Sequence, residues 1–191
     1  MEDRELIRLL KENDQPAFKK LVNSYQKMVI NTCFGILQNR EDAEDTAQEV
    51  FVEIIHSIYS FREDAKLSTW IYRIAVNKSL NMVRKRKRVG IIKSLQNFFS
   101  PNSESDNQEL HPIEVQQPDY VLQQSETARI LKSAIDSLPD NQKTAFILSR
   151  YEDLSYKEIA EVMNLTLSSV ESLIHRSKRN LQKKLKNYYQ S

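Results

Sequence analysis

Along residues 41–59 the apolar side chains Ala43, Ala47, Val50, Phe51, Ile54, Ile55 and Ile58 recur with the 3.6-residue period of a helix. Polar residues fill the positions between them, so the stripe predicts an amphipathic helix with one face on a core. Asn39 stands where an N-cap is needed, and Glu41, Asp42, Glu44 and Asp45 suit the positive end of the helix dipole. The spacing of Phe18, Leu21, Val22, Tyr25, Met28, Val29 and Thr32 predicts an earlier helix over about 15–37, and Leu67, Ile71, Ile74, Ala75 and Met82 a later one over about 64–88. Together these read as one helical unit.

A second group of apolar repeats begins at Ile130, Leu131, Ile135 and Leu138, after which Pro139 opens a helix through Ala145, Phe146, Leu148 and Ser149. Ser155 and Glu158 have the spacing of a capping box ahead of Ile159, Ala160 and Met163. A break at Asn164-Leu165-Thr166 leads to a last helix with Val170, Leu173, Ile174, Leu181 and Leu185. Two helices of this length joined by a tight turn form a helix-turn-helix, and Asn164 tolerates the left-handed conformation such a turn needs.

Composition sharpens this picture. The chain has 191 residues with only 2 Gly and 5 Pro, too few for the turns of a sandwich, a barrel or a phosphate-cradling sheet, so the class is all-α. The charges almost cancel at +2, yet they are segregated. Residues 71–93 hold eight basic side chains and no acid, whereas residues 101–127 hold six acids and no Lys or Arg. The acidic stretch also carries Pro101, Pro112 and Pro118 among Asn, Ser and Gln, a composition that buries too little apolar surface to offset its ordering entropy. The expected organisation is therefore two small helical domains, residues 1–93 and 128–191, joined by a flexible acidic linker, residues 94–127. Cys33 is the one cysteine, which leaves no disulfide framework or thiolate metal site. The charged start, and the absence of any run of 18 apolar residues, point to a soluble, unexported, cytoplasmic protein.

Three helix faces carry candidate chemistry. On the last helix Ser168, Ser172, His175, Arg176 and Arg179 point away from the apolar stripe. Hydroxyls followed by guanidinium groups near the start of a second helix suit a DNA major groove, because Arg bridges guanine acceptors and Ser meets a base or a phosphate. A merely solvated face is the alternative. On the basic helix Trp70, Arg73, Asn77, Asn81, Arg84 and Arg88 fall along one strip, where cations, amides and an aromatic ring can hold phosphates and stack an unpaired base. Trp70 is equally readable as a core residue, while Phe61 and Tyr72 read as packing residues. The helix at 41–59 shows Asp42, Asp45, Gln48, Glu49 and Glu53 opposite its stripe, a face that repels phosphate and is better explained by a protein partner. No Gly-rich phosphate loop, HExxH or clustered set of ligands appears, and His56, His111 and His175 are scattered. This excludes no reaction by itself, but it offers no catalytic residue, no metal site and no small-molecule cofactor.

Three stretches resemble the extracytoplasmic-function sigma factors of bacterial RNA polymerase. Asp42-Ala-Glu-Asp-Thr-Ala-Gln-Glu-Val-Phe51 is similar to the family's helix for the clamp of core polymerase. Phe61 through Arg88, with Ser68-Thr-Trp-Ile-Tyr-Arg-Ile-Ala-Val-Asn77, resembles its promoter-melting and minus-ten segment. Leu138 through Leu185, with Leu154-Ser-Tyr-Lys-Glu-Ile-Ala160, resembles its domain for the minus-thirty-five element. Val76 stands where the family often has Arg, and Asn164 where it often has Gly.

The resemblance implies a dissociable, non-catalytic initiation subunit that binds core RNA polymerase and promoter DNA and is commonly held inactive by an anti-sigma factor. It assigns residues 1–93 to sigma domain two and residues 128–191 to sigma domain four. It further implies Asp42, Asp45, Gln48, Glu49 and Glu53 for polymerase binding, Trp70 through Arg88 of the basic strip for the minus-ten region, and the face from Ser168 to Arg179 for the minus-thirty-five element. The competing reading is a helix-turn-helix regulator that acts without joining polymerase; a nucleic-acid enzyme would need a metal or nucleophile site that the sequence does not offer.

Overall fold

The structure is a computed structural model that describes residues 3–99 and 126–189. Among them are eight helices: α1 (Asp3–Lys11), α2 (Gln15–Leu37), α3 (Arg40–Ser57), α4 (Leu67–Phe99), α5 (Glu126–Asp136), α6 (Asp140–Arg150), α7 (Tyr156–Met163) and α8 (Leu167–Tyr189). A single 3₁₀ turn, Ile58–Ser60, follows α3, and the described residues contain no strand.

The helix ends follow local chemistry. The Asp14 carboxylate accepts from the Ala17 amide at 2.7 Å, and Pro16 sits in the first turn of α2, where its missing N–H leaves no helical bond unmade. Gln38 ends α2 in a left-handed conformation with φ 56°, and Asn39 then caps α3 by accepting from the Asp42 amide at 2.9 Å. So short a connection forces α2 and α3 to run antiparallel. The charged start of the chain, which shows no clear helix by sequence, forms α1 and buries Leu6, Ile7 and Leu10 in the N-terminal core.

That core contains Leu10, Leu21, Val29, Val50, Ile54, Ile58, Leu67 and Ile71, all fully buried. Each stabilises the bundle by roughly 1.5–3 kcal/mol relative to an exposed side chain. A smaller cluster of Ala134, Ile135, Leu138, Ile147 and Leu181 holds α5, α6 and α8 together. Between them lies a third cluster that neither half builds alone: Ile36, Tyr72, Val76 and Leu80 from α2 and α4 meet Ala145, Leu148, Ile159, Val162, Val170 and Ile174 from α6, α7 and α8. The two halves are packed on each other.

α4 is central to this packing. Leu67, Ile71 and Ala75 face the N-terminal core, whereas Tyr72, Val76 and Leu80 form a second buried stripe about 100° round the helix. α4 also runs beyond the expected end near residue 88, so residues 94–99 of the expected linker are its last turns, and Glu126 already opens α5. The remainder of that acidic segment, with its expected flexibility, lies outside the described residues. Gly35 of α2 faces Ile147 of α6: a Cβ there would stand 2.6 Å from Cγ2 of Ile147. Glycine is what lets the two helices touch at that point.

Candidate nucleic-acid and protein interfaces

The helix-turn-helix is assembled by its caps. The Ser155 hydroxyl accepts from the Glu158 amide at 3.3 Å, and the Glu158 carboxylate accepts from the Ser155 amide and hydroxyl at 3.0 and 2.8 Å, completing the capping box. Those bonds, aided by Lys66, hold the Glu158 carboxyl below the usual carboxylate range. Asn164 ends α7 with φ 53°, and the Leu165 amide bonds the Ala160 carbonyl at 2.9 Å. Thr166 then accepts from the Ser169 amide at 3.2 Å and so caps α8, a role that its place in the sequence break did not reveal. Val170, Ile174, Ser177 and Leu181 are buried beneath α8, while Ser168, Ser172, His175, Arg176 and Arg179 are all exposed on its outer side. The structure brings this expected set together on one open helix face.

The strip on α4 is divided. Asn77, Asn81, Arg84 and Arg88 are exposed, with the Arg84 guanidinium donating to Asn81 Oδ1 at 3.3 Å. Asn81, Arg84, Lys85, Arg88 and Val89 line a shallow groove of about 360 Å³, whose three charged side chains are all cations. Arg73 is not free to join it. On the border between the strip and the second buried stripe, its guanidinium donates to the Glu161 carbonyl of α7 at 2.9 Å. Trp70 stands between its two readings: half-buried, it stacks on the buried Phe61 ring with centroids 4.9 Å apart and planes tilted by 35°. Tyr72 is buried, as a packing residue should be, but its hydroxyl also donates to the Glu152 carboxylate at 2.9 Å. Burial raises the pKa values of both groups, and the negative charge of Glu152 adds to the rise for Tyr72.

The acidic face of α3 is likewise narrower than the sequence suggests. Asp42 pairs with Arg86, and Glu53 with Lys78 at 3.2 Å, so both tie α3 to α4. Asp45, Gln48 and Glu49 remain exposed and make no side-chain hydrogen bond or ion pair among the described residues. Beside them stands a ridge that sequence reasoning missed: Val52, Ile55 and Tyr59 are 52%, 39% and 57% exposed. The expected burial of Ile55 is corrected here. It stands about 100° round the helix from the stripe centred on Ile54, at the edge where core contact ends. An exposed apolar ridge flanked by carboxylates has the mixed character of a protein-binding surface.

His56 and His175 are exposed on different helices, and His111 lies outside the described residues. Among the described residues no group of three or more His, Cys, Asp and Glu side chains converges as a metal site requires, and no helix is long and apolar enough to cross a membrane.

With this geometry in hand, the comparisons with known proteins divide along the same lines. Residues 21–89 match the family described as sigma-70 region 2, and residues 128–181 match sigma-70, region 4. The chain is 31% identical over 185 residues to the ECF RNA polymerase sigma factor SigW of Bacillus subtilis, covering 94% of this chain and 95% of the relative. It is 32% identical over 183 residues to the ECF RNA polymerase sigma-E factor of Haemophilus influenzae, covering 96% and 95%. Its fold is similar to CnrH, solved in complex with the cytosolic domain of CnrY, with TM-score 0.66, 20% identity and coverage of 97% of both chains. It is also similar to the sigma factor RpoE of Bartonella quintana, solved with the anti-sigma factor NepR, with TM-score 0.62, 21% identity and coverage of 88% of this chain and 96% of that one.

Proposed function

Because the chain belongs to the extracytoplasmic-function sigma factors of RNA polymerase, we propose that it is a cytoplasmic, dissociable initiation factor that brings core polymerase to a subset of promoters and assists opening of the duplex. It acts without catalysing a reaction and without a cofactor or small-molecule substrate. The observation that carries this reading is the separation of three exposed faces onto three helices: an acidic and apolar face on α3, a cationic strip on α4 and a hydroxyl-guanidinium face on α8.

In this reading Asp45, Gln48 and Glu49, with the ridge of Val52, Ile55 and Tyr59, meet core polymerase, while Asp42 and Glu53 hold α3 in place. Asn77, Asn81, Arg84 and Arg88 meet the minus-ten region, with Trp70 and Arg73 joining from the edge of the strip. Ser168, Ser172, His175, Arg176 and Arg179 read the minus-thirty-five element. An anti-sigma factor is the expected regulator, since the similar sigma factor RpoE was solved in complex with one. A helix-turn-helix regulator independent of polymerase would leave the α3 ridge unexplained.

The test is co-purification with core polymerase, followed by transcription from a promoter library. The double charge reversal Asp45→Lys and Glu49→Lys should abolish co-purification without lowering the thermal midpoint, since both side chains are exposed. Unchanged co-purification would remove the polymerase-binding role of this face.

A further inference from the structure

The last turns of α4 leave the buried clusters behind. Its inward-facing residues end with Leu80 and the partly buried Val83, and residues 84–92 are all exposed. Three of these carry aliphatic side chains: Val89, Ile91 and Ile92 are 44%, 61% and 54% exposed. Just before them stand Arg84, Lys85, Arg86, Lys87 and Arg88. Arg86 is paired with Asp42 and Lys87 with Asp140, whereas Arg84, Lys85 and Arg88 make no ion pair among the described residues.

At helical spacing Arg84, Arg88 and Ile92 follow one another down one line of α4, with Lys85 and Val89 on the next. Cations and aliphatics thus share a face and are segregated along the axis, with Ile92 about 6 Å beyond Arg88 at 1.5 Å per residue. A promoter phosphate accounts for the guanidinium groups but offers nothing to an isoleucine, which has no donor, acceptor or charge. A leaflet rich in anionic lipid offers both partners in that order: negative headgroups outside and acyl chains about 5–10 Å further in. No acid interrupts residues 71–93, and the carboxylates nearest this end, Asp42 and Asp140, are already paired. Charge and depth therefore both match an anionic membrane surface.

We infer that the end of α4 is a peripheral membrane anchor, in which Arg84, Lys85 and Arg88 meet anionic lipid headgroups while Val89, Ile91 and Ile92 enter the outer acyl layer. Three aliphatic side chains make such an anchor reversible. The contact itself does not depend on the initiation-factor reading; one consequence does. Arg84 and Arg88 cannot hold a headgroup and a promoter phosphate at once, so the membrane-bound chain is withheld from the minus-ten region.

The test is flotation of the full-length chain with vesicles of phosphatidylcholine, alone or with about one third phosphatidylglycerol, at physiological salt. The parent should bind the anionic vesicles about tenfold or more tightly than the neutral ones. Joint Ile91→Ser and Ile92→Ser should weaken that binding at least about tenfold, because the apolar surface is lost. Both side chains are exposed, so the thermal midpoint and the affinity for a minus-ten promoter fragment should stay unchanged. Cys33 is buried, so Ile92→Cys can carry an environment-sensitive dye alone, and its emission should shift to the blue on anionic vesicles. Should the serine variant melt early, the dye decides by itself. Equal affinity of the parent for both vesicle types, undiminished binding by a stably folded serine variant, or an unshifted dye would each overturn the anchor. Weakened binding to the promoter fragment with vesicle binding intact would overturn it too, by assigning the isoleucines to DNA. Excess promoter fragment should strip the parent from the vesicles; persistent flotation would overturn the competition. Failure of the parent to initiate at any library promoter with core polymerase would instead overturn the initiation-factor reading.

Discussion

At the scale of single residues, the most local interactions carry the sharpest expectations. Ser155→Ala removes the hydroxyl half of the capping box and should destabilise the C-terminal half by about 1 kcal/mol in a denaturant titration. The pH dependence of that contribution has a definite sign. The Glu158 pKa is held below 4.5 in the folded chain, so the stability it supplies is complete above that value and disappears as pH falls through the lowered one. The parent should therefore lose more stability than Ser155→Ala on acidification below about pH 4.5. Ser155, Glu158, Asn39 and Asn164 were all legible in the sequence because a cap and its partner lie within four residues of each other. Arg73 and Trp70 were not: the guanidinium finds its acceptor 88 residues away, and the indole is half covered by a ring that only the fold brings near.

At the scale of elements, periodicity located α2 to its ends and the outer face of α8 residue by residue, because each has one buried side. It missed α1, whose three core residues are diluted by charge, and it found α4 but neither that helix's second buried stripe nor its last turns beyond residue 88. The reality of α1 as a core element is checked by Leu10→Ala, which should cost 2–5 kcal/mol of unfolding free energy, as expected for a fully buried leucine. The two DNA-facing helices should fail differently. Arg176→Ala should weaken promoter binding by about 1–3 kcal/mol and relax preference at one or two positions of the upstream element. Arg84→Ala and Arg88→Ala should weaken binding to every sequence alike and flatten the salt dependence, by roughly 0.9 in the log–log slope per lost phosphate contact. Binding isotherms at several salt concentrations on matched and altered promoters separate the two outcomes.

At the scale of the whole molecule, sequence patterns foretold two helical halves but not their union, because the shared cluster draws one stripe from each and neither stripe is anomalous alone. The union carries its own pH dependence. Glu152 is half-buried beside Tyr72, and that partial burial, with Asp153 adjacent, raises its carboxyl above its usual range; in an opened chain it returns to water. The packed form therefore binds the proton more tightly, and packing should strengthen as pH falls toward the carboxylate range and weaken as it rises through the elevated value. Energy transfer between fluorophores on α2 and α8 should follow this trend in the parent and lose it in Glu152→Gln, whose amide oxygen still accepts from the tyrosine. Cys33 gives such experiments an internal clock. It is fully buried in the N-terminal core, and burial pushes its thiol up to about 11, so at neutral pH it is neither accessible nor ionised. A disulfide reagent will modify it only at the rate at which that core itself comes apart. The parent's lone sulfhydryl thus times unfolding of the N-terminal core, and a variant whose halves part while its modification half-life stays constant has changed shape with that core intact.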